Sequence, residues 1–267
     1  MATDNLDILP EVEETFIPTP QGKLFACVWG HLGKNIPVIL FHDSLGSVEL
    51  WRDFPSRLAQ VTGHPVIAYD RLGFGKSAAH SDRLQLNFIN NEPKTGLLAL
   101  RKYFSLDKMI LLGHSIGGPI AVAAGVEFPD STSAIITESA QTCVEEKTLS
   151  GIKNARLIYQ EPRQLKRLSR YHGEKAKWVL DAWTETWLSP QFRNWTLDNE
   201  LRGLQCSVLA IHGENDEYGS IDNPKRIIQL APKGGDCLIL EQCGHIPHRE
   251  MPDTVLEAID KFLKSYL

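Results

Sequence analysis

One stretch of the sequence, residues 108–126, constrains the fold more than any other. Its apolar run Met109–Leu112 has the length of a buried parallel strand, and the small and apolar residues after Gly117 are dense enough for a buried helix. Between the two lies the pentad Gly113-His114-Ser115-Ile116-Gly117. A strand that turns into a helix within five residues predicts an α/β fold.

The pentad has the pattern Gly-x-Ser-x-Gly, which is typical of a nucleophile elbow. In such a tight turn, Cβ atoms at Gly113 and Gly117 would collide with neighbouring backbone, and the Ser115 hydroxyl would be exposed. The following helix places free N–H groups and a positive dipole end close by. Because an ordinary glycine-rich turn also fits the pattern, the assignment of Ser115 as a nucleophile depends on partners elsewhere.

Composition excludes several classes of function. The 267 residues fit one large α/β domain, or one domain with an insertion. The chain has 28 basic and 33 acidic residues, and a net charge of -5 argues against a nucleic-acid partner. No apolar run reaches the ~18 residues of a membrane span, and the first residues do not have the pattern of a signal peptide. We therefore expect a cytoplasmic protein, either a monomer or a homodimer.

The order of predicted elements indicates a core with an inserted cap. Residues 1–12 form a polar tail, and a hairpin follows at a sheet edge. Strands and helices then alternate, as in a parallel sheet. The predicted strands are Glu14–Ile17, Leu24–Trp29, Pro37–Phe41, Pro65–Tyr69, Met109–Leu112, Ser133–Thr137, Ser207–Ile211 and Cys237–Glu241, and the predicted helices include Trp51–Val61, Leu84–Phe104 and Pro252–Tyr266.

The alternation is interrupted once. Residues 143–200 carry only helical patterns, among them Gly151–Ile158 and Gly173–Leu188. The sequence therefore predicts a core of residues 1–142 and 201–267, with a helical cap at 143–200.

A serine hydroxyl needs a base to take its proton and a carboxylate to orient that base. The strand at 207–211 leads into Gly213-Glu214-Asn215-Asp216, and the next strand leads to Gly244-His245. Carboxyl ends of parallel strands meet at one edge of a sheet. We therefore predict a catalytic triad of Ser115, Asp216 and His245.

These motifs, together with His42-Asp43-Ser44-Leu45-Gly46, resemble those of the α/β-hydrolase family over nearly the whole chain. The resemblance implies a mostly parallel sheet of eight strands flanked by helices, with the cap after the sixth strand. It also implies an oxyanion hole formed by the backbone N–H groups of Ser44 and Ile116, and no metal or organic cofactor. Asp43 replaces the glycine of most relatives, which brings a carboxylate to the mouth of the pocket.

Other residues compete for these roles. Glu138 also ends a strand, where some lipases of the family carry their acid, and His248 or His114 could replace His245 as the base. His42 and His212 are expected to brace their own loops. Cys243 lacks an elbow and a helix N-terminus that would lower the pKa of its thiol. It belongs to five cysteines without metal-ligand spacing, which we expect to be free and mostly buried.

The cap carries the candidates for substrate binding. Trp183 and Trp187 either roof an apolar pocket or dock the cap onto the core, and the same alternatives hold for Trp178. Three arginines could bind a substrate carboxylate, although a solvated helix face is the ordinary role of such residues; they are Arg163, Arg167 and Arg193.

The predicted function is hydrolysis of a small-molecule ester through an acyl-enzyme. The activities of haloalkane dehalogenases and epoxide hydrolases are excluded, because these relatives carry aspartate at the position of Ser115. Carbon–carbon bond hydrolases, lactonases, cofactor-free peroxidases and menaquinone-pathway lyases share the triad and stay open. A non-catalytic receptor of the same fold is the alternative from another class.

Overall fold

The computed structural model describes residues 10–267, so the first nine residues of the predicted polar tail lie outside it. The strands are β1 Val12–Thr19, β2 Gly22–Trp29, β3 Val38–Phe41, β4 Val66–Tyr69, β5 Met109–His114, β6 Thr132–Glu138, β7 Ser207–Gly213 and β8 Gly235–Leu240. They form one sheet in the order β1-β2-β4-β3-β5-β6-β7-β8. The hairpin β1–β2 is antiparallel and lies at one edge, β2 is antiparallel to β4, and all other neighbours are parallel. This confirms the predicted fold class.

Helices connect the strands. They are α1 Phe54–Thr62, α2 Phe88–Asn91, α3 Gly96–Phe104, α4 Gly117–Glu127, α5 Glu146–Ile158, α6 Pro162–His172, α7 Ala176–Trp187, α8 Asp198–Gly203, α9 Asp222–Leu230, α10 Pro247–Glu250 and α11 Pro252–Tyr266. Short 3-10 helices lie at Val48–Trp51, Glu92–Lys94, Pro129–Ser131, Gly173–Lys175 and Pro190–Phe192. No helix within residues 10–267 has the length and apolar character needed to cross a bilayer.

Both faces of the sheet are covered, because successive side chains of a strand point to opposite faces. On β3, Ile39 and Phe41 belong to the core cluster that α3 and α4 complete. The alternate residues Val38 and Leu40 belong to the cluster on the other face, with α1 and α11. All four side chains are fully buried.

Two predicted helices start later than the sequence pattern indicates. Residues 84–87 are not helical, and the chain from 88 to 104 is divided into α2, a 3-10 turn and α3. Pro93 lies in that turn, and it has no N–H to continue an α-helix. Trp51 ends a 3-10 helix, and α1 begins only at Phe54.

The segment between β6 and β7 contains α5, α6, α7 and α8. Its ends lie side by side, since Cys143 and Thr196 form an isolated antiparallel bridge and the Leu197 N–H donates to the Thr142 carbonyl at 2.8 Å. We keep the name cap for residues 143–200; α8 begins within them and continues to Gly203.

Candidate active site

The turn between β5 and α4 holds Ser115 in a left-handed backbone conformation, with φ at +53°. The glycines around it are required by space. A Cβ at Gly113 would lie 1.9 Å from the carbonyl oxygen of Gly117, and one at Gly117 would lie 2.0 Å from that of Phe41. The predicted steric role of both glycines is confirmed, and the turn has the geometry of a nucleophile elbow.

Asp216 and His245 are in direct contact. The imidazole Nδ1 of His245 lies 2.9 Å from each carboxylate oxygen of Asp216. A carboxylate only accepts hydrogen bonds, so Nδ1 carries the proton and donates it. The other ring nitrogen, Nε2, keeps the lone pair that a general base needs.

The loop after β7 keeps the Asp216 carboxylate ionised although the residue is fully buried. Burial alone would raise the pKa of this carboxyl, but the hydrogen bond from His245 opposes it, and the pKa is lowered below its usual value. The backbone N–H groups of Tyr218 and Gly219 also donate to it, at 2.7 and 3.2 Å. Sequence analysis missed Tyr218, whose ring packs against His245 at a centroid distance of 4.8 Å.

Ser115 and His245 line the same cavity, which has a volume of about 500 Å³. Within residues 10–267 no hydrogen bond joins the Ser115 hydroxyl to the imidazole. The structure therefore joins Asp216 to His245 and places Ser115 on the same cavity as His245. The hydrogen bond between Ser115 and His245 that the predicted triad requires is not formed. Catalytic hydrogen bonds often form fully only when substrate binds.

The predicted oxyanion donors are free. Among the described residues, the backbone N–H groups of Ser44 and Ile116 donate to no other group of the protein. Ser44 lies in the loop after β3 and lines the cavity, and Ile116 directly follows Ser115 at the start of α4. An oxyanion is stabilised by unpaired N–H groups of this kind.

Asp43 forms an ion pair with His114. Its Oδ2 lies 3.6 Å from Nδ1 of His114, and Nε2 of His114 donates to the carbonyl of His245 at 2.8 Å. Burial lowers the pKa of His114, but the bond to Asp43 and the charge of Glu138 outweigh it and raise the pKa to about 9. His114 is therefore an imidazolium at neutral pH, and it connects the Asp43 loop to the His245 loop.

The alternative acid and the alternative base of the triad pair with each other. Nδ1 of His248 donates to Glu138 at 2.8 Å, and both side chains are buried. With His114 they offer ligand atoms within 4.8 Å of one another, a spacing that a metal ion can use. However, Nε2 of His114 is bonded to the His245 carbonyl and its ring is protonated, while His248 is bonded to Glu138, so these groups already have partners in the protein.

The remaining competitors have structural positions. Nδ1 of His42 donates to the Asp43 carbonyl at 2.8 Å, within its own loop. Nε2 of His212 lies 3.4 Å from the Asp216 carboxylate, behind the acid. Burial raises the pKa of the Cys243 thiol to about 12, which excludes a thiolate nucleophile there. All five cysteines are free, and three of them are buried.

The cap tryptophans have different positions. Trp183 and Trp187 line the cavity, whereas Trp178 packs on Phe74 and stacks on His80 of the core. The Trp183 ring also packs edge-on against the Tyr218 ring, with a distance of 5.8 Å between the ring centroids. Trp178 therefore docks the cap, and the other two are placed where a substrate would contact them.

Arginines line the cavity to an extent that the sequence did not reveal. They are Arg52, Arg167, Arg170 and Arg249. Of the three that the sequence singled out, Arg167 is among them, Arg163 is not, and Arg193 pairs with Glu146 elsewhere. A signal for Arg249 was present, since it follows His245 by four residues.

Comparison with known proteins places the chain in a family. The model of the alpha/beta hydrolase family matches residues 38–258. The chain belongs to the alpha/beta hydrolase family. Its fold is the one that the sequence predicted for this family.

Individual relatives of this alpha/beta hydrolase have different activities. It is 33% identical to the 1-acylglycerol-3-phosphate O-acyltransferase ABHD5 of Sus scrofa over 106 residues, which are 40% of this chain and 30% of that protein. It is 22% identical to a proline iminopeptidase of Lactobacillus crispatus over 96% of this chain and 99% of that one. The carboxylesterase CesB of Bacillus subtilis shares the fold, with a TM-score of 0.73 and 19% identity, over 96% of this chain and 93% of that chain.

Proposed function

We propose that the protein is a serine hydrolase that cleaves a carboxylic ester, or a related acyl bond, of a small molecule. The observation that carries this proposal is that His245, which is hydrogen-bonded to Asp216, lines one cavity together with Ser115. The free N–H groups of Ser44 and Ile116 add to it. The reaction needs no cofactor.

The proposed mechanism begins at the serine. Nε2 of His245 takes the hydroxyl proton while Oγ of Ser115 attacks the carbonyl carbon. The Asp216 carboxylate holds the tautomer and stabilises the imidazolium that forms. The tetrahedral oxyanion accepts hydrogen bonds from the two free N–H groups, each worth roughly 3 kcal/mol. His245 then protonates the leaving alcohol, and water attacks the acyl-enzyme in the same way.

Carbon–carbon bond hydrolysis, lactone hydrolysis, perhydrolysis and elimination remain alternatives because they use the same three residues. A peptidase of the proline iminopeptidase kind fits less well. Such an enzyme must accept the ammonium group of its substrate, and the four arginines of this cavity repel a cation. A location in the cytoplasm stays a prediction.

The test is steady-state hydrolysis of p-nitrophenyl butyrate by the wild type and by Ser115→Ala. We expect multiple turnovers in the wild type and a loss of at least roughly 10⁴-fold in kcat in the variant. Ser265→Ala, on the exposed end of α11, serves as the control and keeps full activity. Turnover retained in Ser115→Ala refutes the nucleophile, and saturable binding with a single acylation favours the receptor alternative.

A further inference from the structure

The cavity has a positive charge that the rest of the protein does not share. The net charge of the chain is -5, yet four arginines and only two carboxylates line the cavity. One of these carboxylates, Asp43, is already paired with His114. The other, Glu217, is exposed to solvent. The guanidinium groups are therefore in excess where a substrate would bind.

In the part of the chain that the structure describes, none of these four arginines has a carboxylate partner, whereas several arginines elsewhere do. Arg57 pairs with Asp253, Arg193 with Glu146 and Arg226 with Asp198. Within residues 10–267, by contrast, no carboxylate forms an ion pair with Arg52, Arg167, Arg170 or Arg249. The charge of these four guanidinium groups is therefore not neutralised by an ion pair within the described chain.

Arg249 is the most constrained of the four. One terminal nitrogen donates to the Leu50 carbonyl, and its Nε is buried with no hydrogen-bond partner in the described chain. Burial lowers the pKa of Arg249; the negative charge of Asp43 opposes this effect, and the positive charge of Arg52 adds to it. A guanidinium in this position is stabilised by an anion that accepts hydrogen bonds from its N–H groups.

The other arginines approach from two sides. Arg52 belongs to the core, where the chain is held at φ +54° after a 3-10 helix. Arg167 and Arg170 lie three residues apart on α6 of the cap, a spacing that puts them on one face. Arg163 lies on the same helix but does not line the cavity. Charges from core and cap thus converge on one space.

We infer that the cavity binds an anionic group of the substrate, a carboxylate or a phosphate, through Arg249 and Arg52 of the core and Arg167 and Arg170 of the cap. The inference rests on the proposed function and narrows it to esters that carry a negative charge away from the bond that is cleaved. Planar guanidinium groups match the oxygen pairs of both anions.

The kinetic test compares two esters of equal length, mono-p-nitrophenyl adipate and p-nitrophenyl hexanoate, which differ in a terminal carboxylate. We expect a higher kcat/KM for the adipate ester in the wild type. In Arg167→Gln and in Arg249→Gln, the ratio of the two kcat/KM values should fall at least tenfold. Arg163→Gln is the matched control and should leave both values as in the wild type. A wild type that prefers the hexanoate ester, or an unchanged ratio in both variants, overturns the inference.

Calorimetry separates this inference from the proposed function. Three compounds are titrated into the Ser115→Ala protein: monomethyl adipate, hexyl phosphate and neutral methyl hexanoate. This variant lacks the proposed nucleophile, so binding is measured without hydrolysis. Binding of either anion above that of methyl hexanoate, lost when Arg167→Gln is added, supports the anion site even where no ester is hydrolysed. The tighter of the two anions identifies the group as carboxylate or phosphate. Equal binding of all three compounds refutes the site while leaving ester hydrolysis standing.

Discussion

Two carboxylate and imidazole pairs lie close together in this molecule, and their surroundings give them different roles. Asp216–His245 opens on the cavity, because the His245 side chain is 12% exposed. Glu138–His248 is closed, with exposures of 2% and 3%. The imidazolium of His114 lies between the two histidine rings, at centroid distances of 5.1 and 5.0 Å. A base must reach its substrate, and of the two pairs only the first is open to the cavity.

Substitution of the two acids tests this difference. Asp216→Asn should lower kcat for p-nitrophenyl butyrate by roughly 10³ to 10⁴-fold, because the amide no longer holds His245 in the productive tautomer. Glu138→Gln should lower kcat less than about tenfold. Far-UV circular dichroism checks that both variants fold. The reverse order of the two losses would assign the acid to Glu138.

Because Asp43 pairs with His114, we expect the free energy of unfolding to depend on pH. The pKa of His114 is raised in the folded protein from 6.5 to about 9, so its contribution is complete below pH 6.5 and is lost as the pH rises through 9. From this group the free energy of unfolding should fall by about 3 kcal/mol over that range. Urea unfolding of the wild type and of His114→Gln measures it.

We expect the wild type to have the higher free energy of unfolding, and its advantage over His114→Gln should shrink from pH 6.5 to pH 10. A constant difference in the free energy of unfolding would mean that His114 is neutral in the folded state.

Asp43 stands where most relatives have glycine, and its contacts explain why the loop tolerates it. Its carboxylate accepts a hydrogen bond from the Leu45 N–H at 2.7 Å, which shapes the loop, and it also pairs with His114.

At the scale of elements, α6 and α7 attach the cap to two loops of the core. His172, at the end of α6, binds the Leu45 carbonyl at 2.9 Å and accepts from the Gly75 N–H at 2.9 Å. Trp178 of α7 packs over Gly73, where a Cβ would lie 2.4 Å from its ring. The cap is therefore anchored beside the oxyanion loop.

Removal of the Trp178 ring should loosen this attachment. Trp178→Ala loses contacts with Phe74 and His80 and should lower the free energy of unfolding by about 2 kcal/mol, less than for a fully buried tryptophan. Limited proteolysis should cut within residues 143–200 faster than in the wild type. Lys177→Ala, its exposed neighbour, is the control. Equal resistance of all three proteins would show that the cap is held by other contacts.

The sequence was most informative for elements with a simple pattern. The final helix was predicted with its observed bounds, and the strands within a few residues, because short apolar runs bounded by turn residues leave few alternatives. The helix predicted from Leu84 failed because periodicity does not register the effect of Pro93 on hydrogen bonding. Helix α6 was not singled out, since its sequence is largely polar and exposed.

At the scale of the whole molecule, parallel strands bring distant loops to one edge of the sheet. The loops after β3, β5, β7 and β8 carry Ser44, Ser115, Asp216 and His245. The chain order of the last three predicted them as a group, and the resemblance to the family added Ser44. The contact of His114 with both Asp43 and the His245 backbone was not predictable, because it depends on side-chain directions across three loops. The same holds for the cavity arginines, which come from separate elements.

The most direct test of the central claim is labelling with a fluorophosphonate, followed by peptide mapping in a mass spectrometer. A fluorophosphonate reacts with a serine only where a base and an oxyanion hole activate it. We predict one adduct, on Ser115, in the wild-type protein, and labelling that is strongly reduced in His245→Ala. An adduct on another residue, or labelling of Ser115 that does not change without His245, would contradict the account.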